Sequence, residues 1–135
     1  MVRDIKAEVV LTNKNYLAEV KTRNHFLVID EPVGSGGDDN GPTPVEYLLT
    51  AVGGCVSITL RMYAERKGWD IGKITVNVSQ KEELTSEGIK KWLVEDIFFE
   101  KEITEGQRKR LLVIAGKCPV AKMIKGETKI ESKII

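Results

Sequence analysis

The chain has little of what most metal sites and charged interfaces are made from. Its 135 residues hold only two cysteines, Cys55 and Cys118, and one histidine, His25. At these spacings the three cannot complete the four-ligand set of a zinc site, so neither a metal nor a bound organic cofactor is expected. Net charge is also lacking. Twenty-one Lys and Arg balance 20 Asp and Glu, leaving +1, which removes the electrostatic case for nucleic acid or an anionic membrane. The longest uncharged run, residues 47–60, falls short of the ~20 residues that span a bilayer. The opening Met1-Val2-Arg3-Asp4-Ile5-Lys6 has no apolar signal-peptide core. Glycine-rich residues 34–37 are not followed by the Gly-Lys-Ser/Thr of a phosphate cradle. Asp38-Asp39-Asn40-Gly41 lacks calcium-loop spacing. No repeat or low-complexity tract is present. These absences predict one globular domain over residues 1–135, located in the cytoplasm. In that reducing compartment a cysteine pair is more readily free or redox-active than permanently crosslinked.

What is present is a segregated pattern of elements. Residues 7–11, 16–22 and 26–30 read as three short strands, with Thr12-Asn13-Lys14-Asn15 as a turn and Arg23-Asn24-His25 near the next reversal. Residues 31–42 are a loop, being rich in glycine, proline and aspartate. Thr43 opens a long helix, with Pro44 at its first position and Glu46 where a capping box places an acid. Gly68 stops it. Its centre, residues 48–60, is apolar or small on every side, as in a helix buried all round. Gly53, Gly54 and Ser57 there allow another backbone to approach closely. One small domain can hardly surround such a helix, so a second copy is expected to pack on it. Residues 73–79 alternate as a half-buried strand, 80–91 read as a polar loop, and 92–100 as a strand with apolar residues on both faces. A second helix begins at Thr104 with Gln107 in its capping box. A third runs over residues 119–125 and ends at Gly126. Alternation returns over residues 128–134, predicting a closing strand. Strand runs followed by helix runs argue for an α+β fold.

Cys55 can be read in two ways. It can serve as a small buried hydrophobe. As a nucleophile it needs a nearby cation, because apolar surroundings raise a thiol's pKa. None lies within one turn, and Arg61 is rotated ~120° around the helix. Glu46, ~180° away and ~13 Å along the helix, reads as a cap, or as a residue working across a dimer interface. Cys118 precedes Pro119 at a helix start, where the positive end of the dipole favours a thiolate. His25, beside Asn24, reads as a turn or strand-end residue.

Four segments taken together resemble the OsmC/Ohr family of osmotically inducible and organic-hydroperoxide-resistance proteins. They are Gly41-Pro42-Thr43-Pro44-Val45-Glu46-Tyr47-Leu48-Leu49, Gly53-Gly54-Cys55, Thr59-Leu60-Arg61-Met62-Tyr63-Ala64 and Lys117-Cys118-Pro119-Val120. The resemblance implies antiparallel sheets wrapped around a central buried helix in an intertwined homodimer. It also implies thiol-dependent reduction of organic hydroperoxides. Cys55 then matches the attacking cysteine, Cys118 the resolving one, and Glu46 the acid that holds an activating arginine. Arg23 is the candidate for that arginine, with Lys14 as an alternative that lacks the planar fork. The implied partners are a second copy, a small organic hydroperoxide and an external dithiol. A small-ligand-binding dimer with passive cysteines and a redox-sensing dimer are the rival readings.

Overall fold

The computed structural model describes residues 3–135. Contacts divide the chain into two compact units, one ending at Leu48 and the other Leu49–Ile135.

The first unit is the expected meander. Strands β1 (Glu8–Leu11), β2 (Ala18–Thr22) and β3 (His25–Ile29) form an antiparallel sheet in the order β1-β2-β3. Alternation sets its faces: Ala18 and Val20 are buried while Glu19 and Lys21 are exposed. Thr12 closes the first turn by donating from both its backbone N–H and its hydroxyl to Leu17 O, each at 2.9 Å. The β2–β3 reversal is a two-residue turn between the paired Thr22 and His25. Arg23 occupies it with a positive φ of 51°. His25 is thus a strand-end residue.

The loop that follows is ordered by one buried carboxylate. Asp30 accepts from the N–H groups of Glu31 at 2.8 Å and Asn40 at 3.0 Å. The Asn40 contact is the main reason its pKa lies below the ordinary aspartate value, outweighing the opposing effect of burial. Tyr47 Oη donates to Val28 O at 2.7 Å and ties the following helix start to β3.

Helix α1 (Pro44–Lys67) begins as its sequence dictates. Thr43 N–H donates to Glu46 Oε1 at 2.9 Å, and Glu46 N–H donates to Thr43 Oγ1 at 3.2 Å. It ends in a Schellman motif. Gly68, at φ 70°, donates to Glu65 O, and Trp69 donates to Ala64 O.

The second unit is built on a stripe of α1. Val52, Val56, Leu60 and Tyr63 form its core with Leu111, Ile114 and Ala115 of α2 (Glu105–Ala115) and with Cys118 and Ala121 at the start of α3 (Pro119–Lys125). Burying a side chain such as Leu60 or Leu111 is worth ~1.5–3 kcal/mol. Thr104 and Gln107 make the expected capping box of α2.

Two expectations, for residues 80–91 and 128–134, are corrected here. Residues 80–91 are not a loop. Strands β4 (Ile74–Thr85) and β5 (Gly88–Phe99) continue through them as one antiparallel hairpin, turning at Ser86 and Glu87. Polar cross-strand pairs replace a buried face there, as in the Glu82–Lys91 pair, whose ionic contact is 3.3 Å. The two faces of β5 are buried unequally: Leu93, Ile97 and Phe99 pack on the core, while on the other face Val94 is half-buried and Trp92 and Phe98 are exposed. Residues 128–134 form no strand, because no backbone ladder receives them and Ile130 and Ile134 stand in solvent. Within this single chain α1 buries one stripe, and Ile58 and Met62 are 57% and 60% exposed. Gly53 does permit a close approach, but by β4, since a Cβ there would lie 3.2 Å from Val78 Cγ2.

Candidate active site

Cys55 sits one residue before Val56 on α1, at the margin of the buried stripe, so its side chain is half-buried. Cys118 is part of the same core, where the turn after α2 meets α3, and Cys55 packs against that core. Cys118 is fully buried, with 0% exposure. The two thiols lie near enough for Cys55 to influence the titration of Cys118. Both are free thiols. Folding therefore brings together the only two sulfhydryls of the chain.

Local chemistry distinguishes the pair. Burial is the largest influence on Cys118 and raises its pKa, and the neighbouring Cys55 thiol raises it further. The N–H groups of Ala121 and Val120, in the first turn of α3, pull the other way. The helix start therefore acts on the sulfur as expected, yet desolvation wins and Cys118 is held as a neutral thiol. Cys55 is the sulfur a solute can reach.

An open groove of about 740 Å³ is lined by Thr59, Met62, Ile114 and Pro119 together with Glu65, Arg66 and Lys117. Thr59 is one helical turn beyond Cys55, and Pro119 follows Cys118. Lys117 is adjacent to Cys118 in sequence. Arg61 is engaged elsewhere, donating from Nη2 to Gly72 O at 2.6 Å.

The remaining sequence candidates belong to the first unit. Arg23 is exposed at the β2–β3 turn, and Lys14 is exposed in the β1–β2 turn. Glu46 serves the cap of α1. Its pKa is lowered first by the backbone N–H of Thr43 and then by the Thr43 hydroxyl. Among the described residues, no three His, Cys, Asp or Glu side chains converge as metal ligands do.

The family profile described as OsmC-like protein matches residues 36–133, a span that includes both cysteines, Glu46 and the whole second unit up to Lys133. The chain belongs to the OsmC-like family. Comparison with curated protein sequences finds no match. Among solved structures, this OsmC-like chain is similar to a Psychrobacter arcticus protein named for the osmotic stress and detoxification response. That pair has a TM-score of 0.78 at 20% identity, covering 95% of this chain and 93% of the other. It is also similar to an organic hydroperoxide resistance protein of Legionella pneumophila, with a TM-score of 0.69, 16% identity and 93% and 92% coverage. The organic hydroperoxide resistance protein OhrB of Bacillus subtilis matches with a TM-score of 0.64, 16% identity and 93% coverage of each chain. At such identities the likeness establishes the mixed α+β fold with antiparallel sheets.

Proposed function

We propose that this protein is a thiol-dependent peroxidase that reduces organic hydroperoxides. The observation that carries the reading is the pairing at one core of a half-buried Cys55 and a buried Cys118, both free thiols and near enough to affect each other's titration. Membership of a family with hydroperoxide-resistance relatives supports it.

In this reading the Cys55 thiolate attacks the terminal oxygen of the hydroperoxide. The O–O bond breaks, the alkoxide leaves and takes up a proton as the alcohol, and Cys55 becomes a sulfenic acid. The Cys118 sulfur then attacks the Cys55 sulfur. A disulfide forms, and the hydroxyl leaves with the Cys118 proton as water. An external dithiol reduces the disulfide by exchange and is itself oxidised. Cys118 suits the second step because a sulfur kept protonated and sealed from solvent does not compete for the peroxide. Met62, Ile114 and Pro119 give the groove apolar walls for an alkyl chain.

Activation of Cys55 is assigned to Arg23, with Glu46 holding that guanidinium in place. Lys14 is the alternative cation. The working unit in this proposal is a homodimer in the cytoplasm, and the exposed Ile58 and Met62 on α1 support a second copy covering that face.

The test is to treat the reduced protein with one equivalent of cumene hydroperoxide and record its intact mass, alongside Cys55→Ser. Loss of two hydrogens in the wild type and no loss in the variant is expected. Repeated turnover with a dithiol then separates an enzyme from a redox sensor. Unconsumed peroxide and an unchanged mass would leave the passive ligand-binding reading in its place.

A further inference from the structure

A second cluster of functional groups lies at the far end of α1, and the thiol chemistry does not use it. Tyr63 is buried, with 6% exposure, and its ring is surrounded by positive charge. Arg66, Lys67 and Arg110 lie 5.8, 5.7 and 5.4 Å from the ring centroid. Trp69 packs edge-on against the ring at 5.6 Å and fixes its position. Arg110 Nε donates to Tyr63 Oη at 2.8 Å.

Two things about this cluster are unusual. First, among the described residues none of the three cations is in an ion pair with a carboxylate, although the chain carries 20 acids. Glu65 adjoins Arg66 in sequence and lines the neighbouring groove with it, but it makes no such pair. Arg66 and Lys67 complement the negative end of the α1 dipole, which is worth only about half an elementary charge. Arg110 belongs to the middle of α2 and has no such role. Positive charge is therefore left over. Second, the Tyr63 hydroxyl accepts from Arg110, but its own hydrogen has no acceptor among the described residues. The hydroxyl lies in a part-buried bond, so this donor is open to an incoming acceptor.

We propose that this cluster binds a phosphoryl group, seated between the Arg110, Arg66 and Lys67 side chains and the O–H of Tyr63. A phosphate monoester carries about −1.5 to −2 charge at neutral pH on three acceptor oxygens, which matches three cations and one neutral donor. A carboxylate would leave more of the charge uncompensated. With Nε committed to Tyr63, Arg110 keeps its two terminal nitrogens for a forked contact with two oxygens. The same cations also hold the Tyr63 pKa below that of free tyrosine, chiefly through the Arg110 hydrogen bond, so its O–H is a stronger donor. The ligand is free phosphate or a small phosphate monoester.

The experiment follows Trp69, which reports on the Tyr63 ring, in a Trp92→Phe background that removes the other tryptophan. Inorganic phosphate and glycerol phosphate are titrated separately at constant ionic strength, with chloride as the control. A saturable change in emission with one or both, and none with chloride, is expected; the tighter of the two identifies the source. Arg110→Gln should raise the half-saturating concentration about tenfold, the loss of one charge-assisted hydrogen bond. The exposed double variant Arg66→Gln/Lys67→Gln, which leaves the core untouched, should weaken binding at least as much. Tyr63→Phe keeps the ring and removes only the donor, and a loss of several-fold is expected. No saturable response to either phosphate, or equal affinity in the double variant, would overturn the proposal.

Discussion

Cys118 is closed to solvent inside the core, while Cys55 packs half-buried at the edge of that core. One core thus holds a reachable sulfur and an unreachable one. Reactivity toward a small electrophile should follow that division.

Iodoacetamide at neutral pH is expected to alkylate Cys55 first in the folded, reduced protein, with Cys118 slower by at least about tenfold. Burial and a raised pKa both lower the fraction of reactive thiolate. Peptide mapping after timed quenching measures the two rates. Equal rates, or faster labelling of Cys118, would contradict the arrangement.

Alkali should destabilise the reduced protein through Cys118. Its folded pKa is raised, first by burial, so the folded state holds its proton where the unfolded state loses it. The resulting stability is complete below the unfolded value of about 8.5 and is lost as pH rises from there through the folded value. Urea midpoints measured from pH 7 to 10 are expected to fall less steeply for Cys118→Ala than for the wild type.

Acid should act through Glu46 with the opposite sign. Its folded pKa is lowered, chiefly by the Thr43 N–H. Its contribution is present above the unfolded value of about 4.3 and disappears as pH falls through the folded value. Glu46→Gln is expected to be less stable than the wild type at pH 7, with the gap closing near pH 3. A gap that stays constant with pH would show that the carboxylate charge plays no part in the cap.

Gly53 should tolerate little growth. A Cβ would already lie 3.2 Å from Val78 Cγ2, so Gly53→Val forces α1 and β4 apart. Overpacking of this kind costs ~1–3 kcal/mol, and the thermal midpoint should drop accordingly. Gly54→Ala, one residue on, meets nothing within 4 Å and should be neutral or stabilising.

Caps were the most legible part of the sequence. Thr43 with Glu46, and Thr104 with Gln107, are three residues apart, and the bonds they make depend on nothing distant. Gly68 is legible for the same reason. The three-strand meander followed from local alternation and turn residues. What failed was what depends on a remote partner. Residues 80–91 look like a loop because both faces are polar, and only the register with the opposite strand, Glu82 against Lys91, makes them a hairpin. Residues 128–134 have strand alternation but no ladder to join. In the candidate site, the resemblance supplied the roles of Cys55 and Cys118, but no spacing rule brings the two residues to one core. The Tyr63 cluster was half visible: Arg66 and Lys67 follow Tyr63 at i+3 and i+4, one helical face, whereas Arg110 arrives through the packing of α2.

The outer half of the β4–β5 hairpin has its own consequence. Its turn at Ser86 and Glu87 is solvent-exposed and contributes nothing to the core around the thiols. A peptide tag or fluorescent label grafted at that tip would ride on two paired strands without perturbing the sulfur chemistry. It gives the experimenter an attachment point from which peroxide exposure can be followed optically.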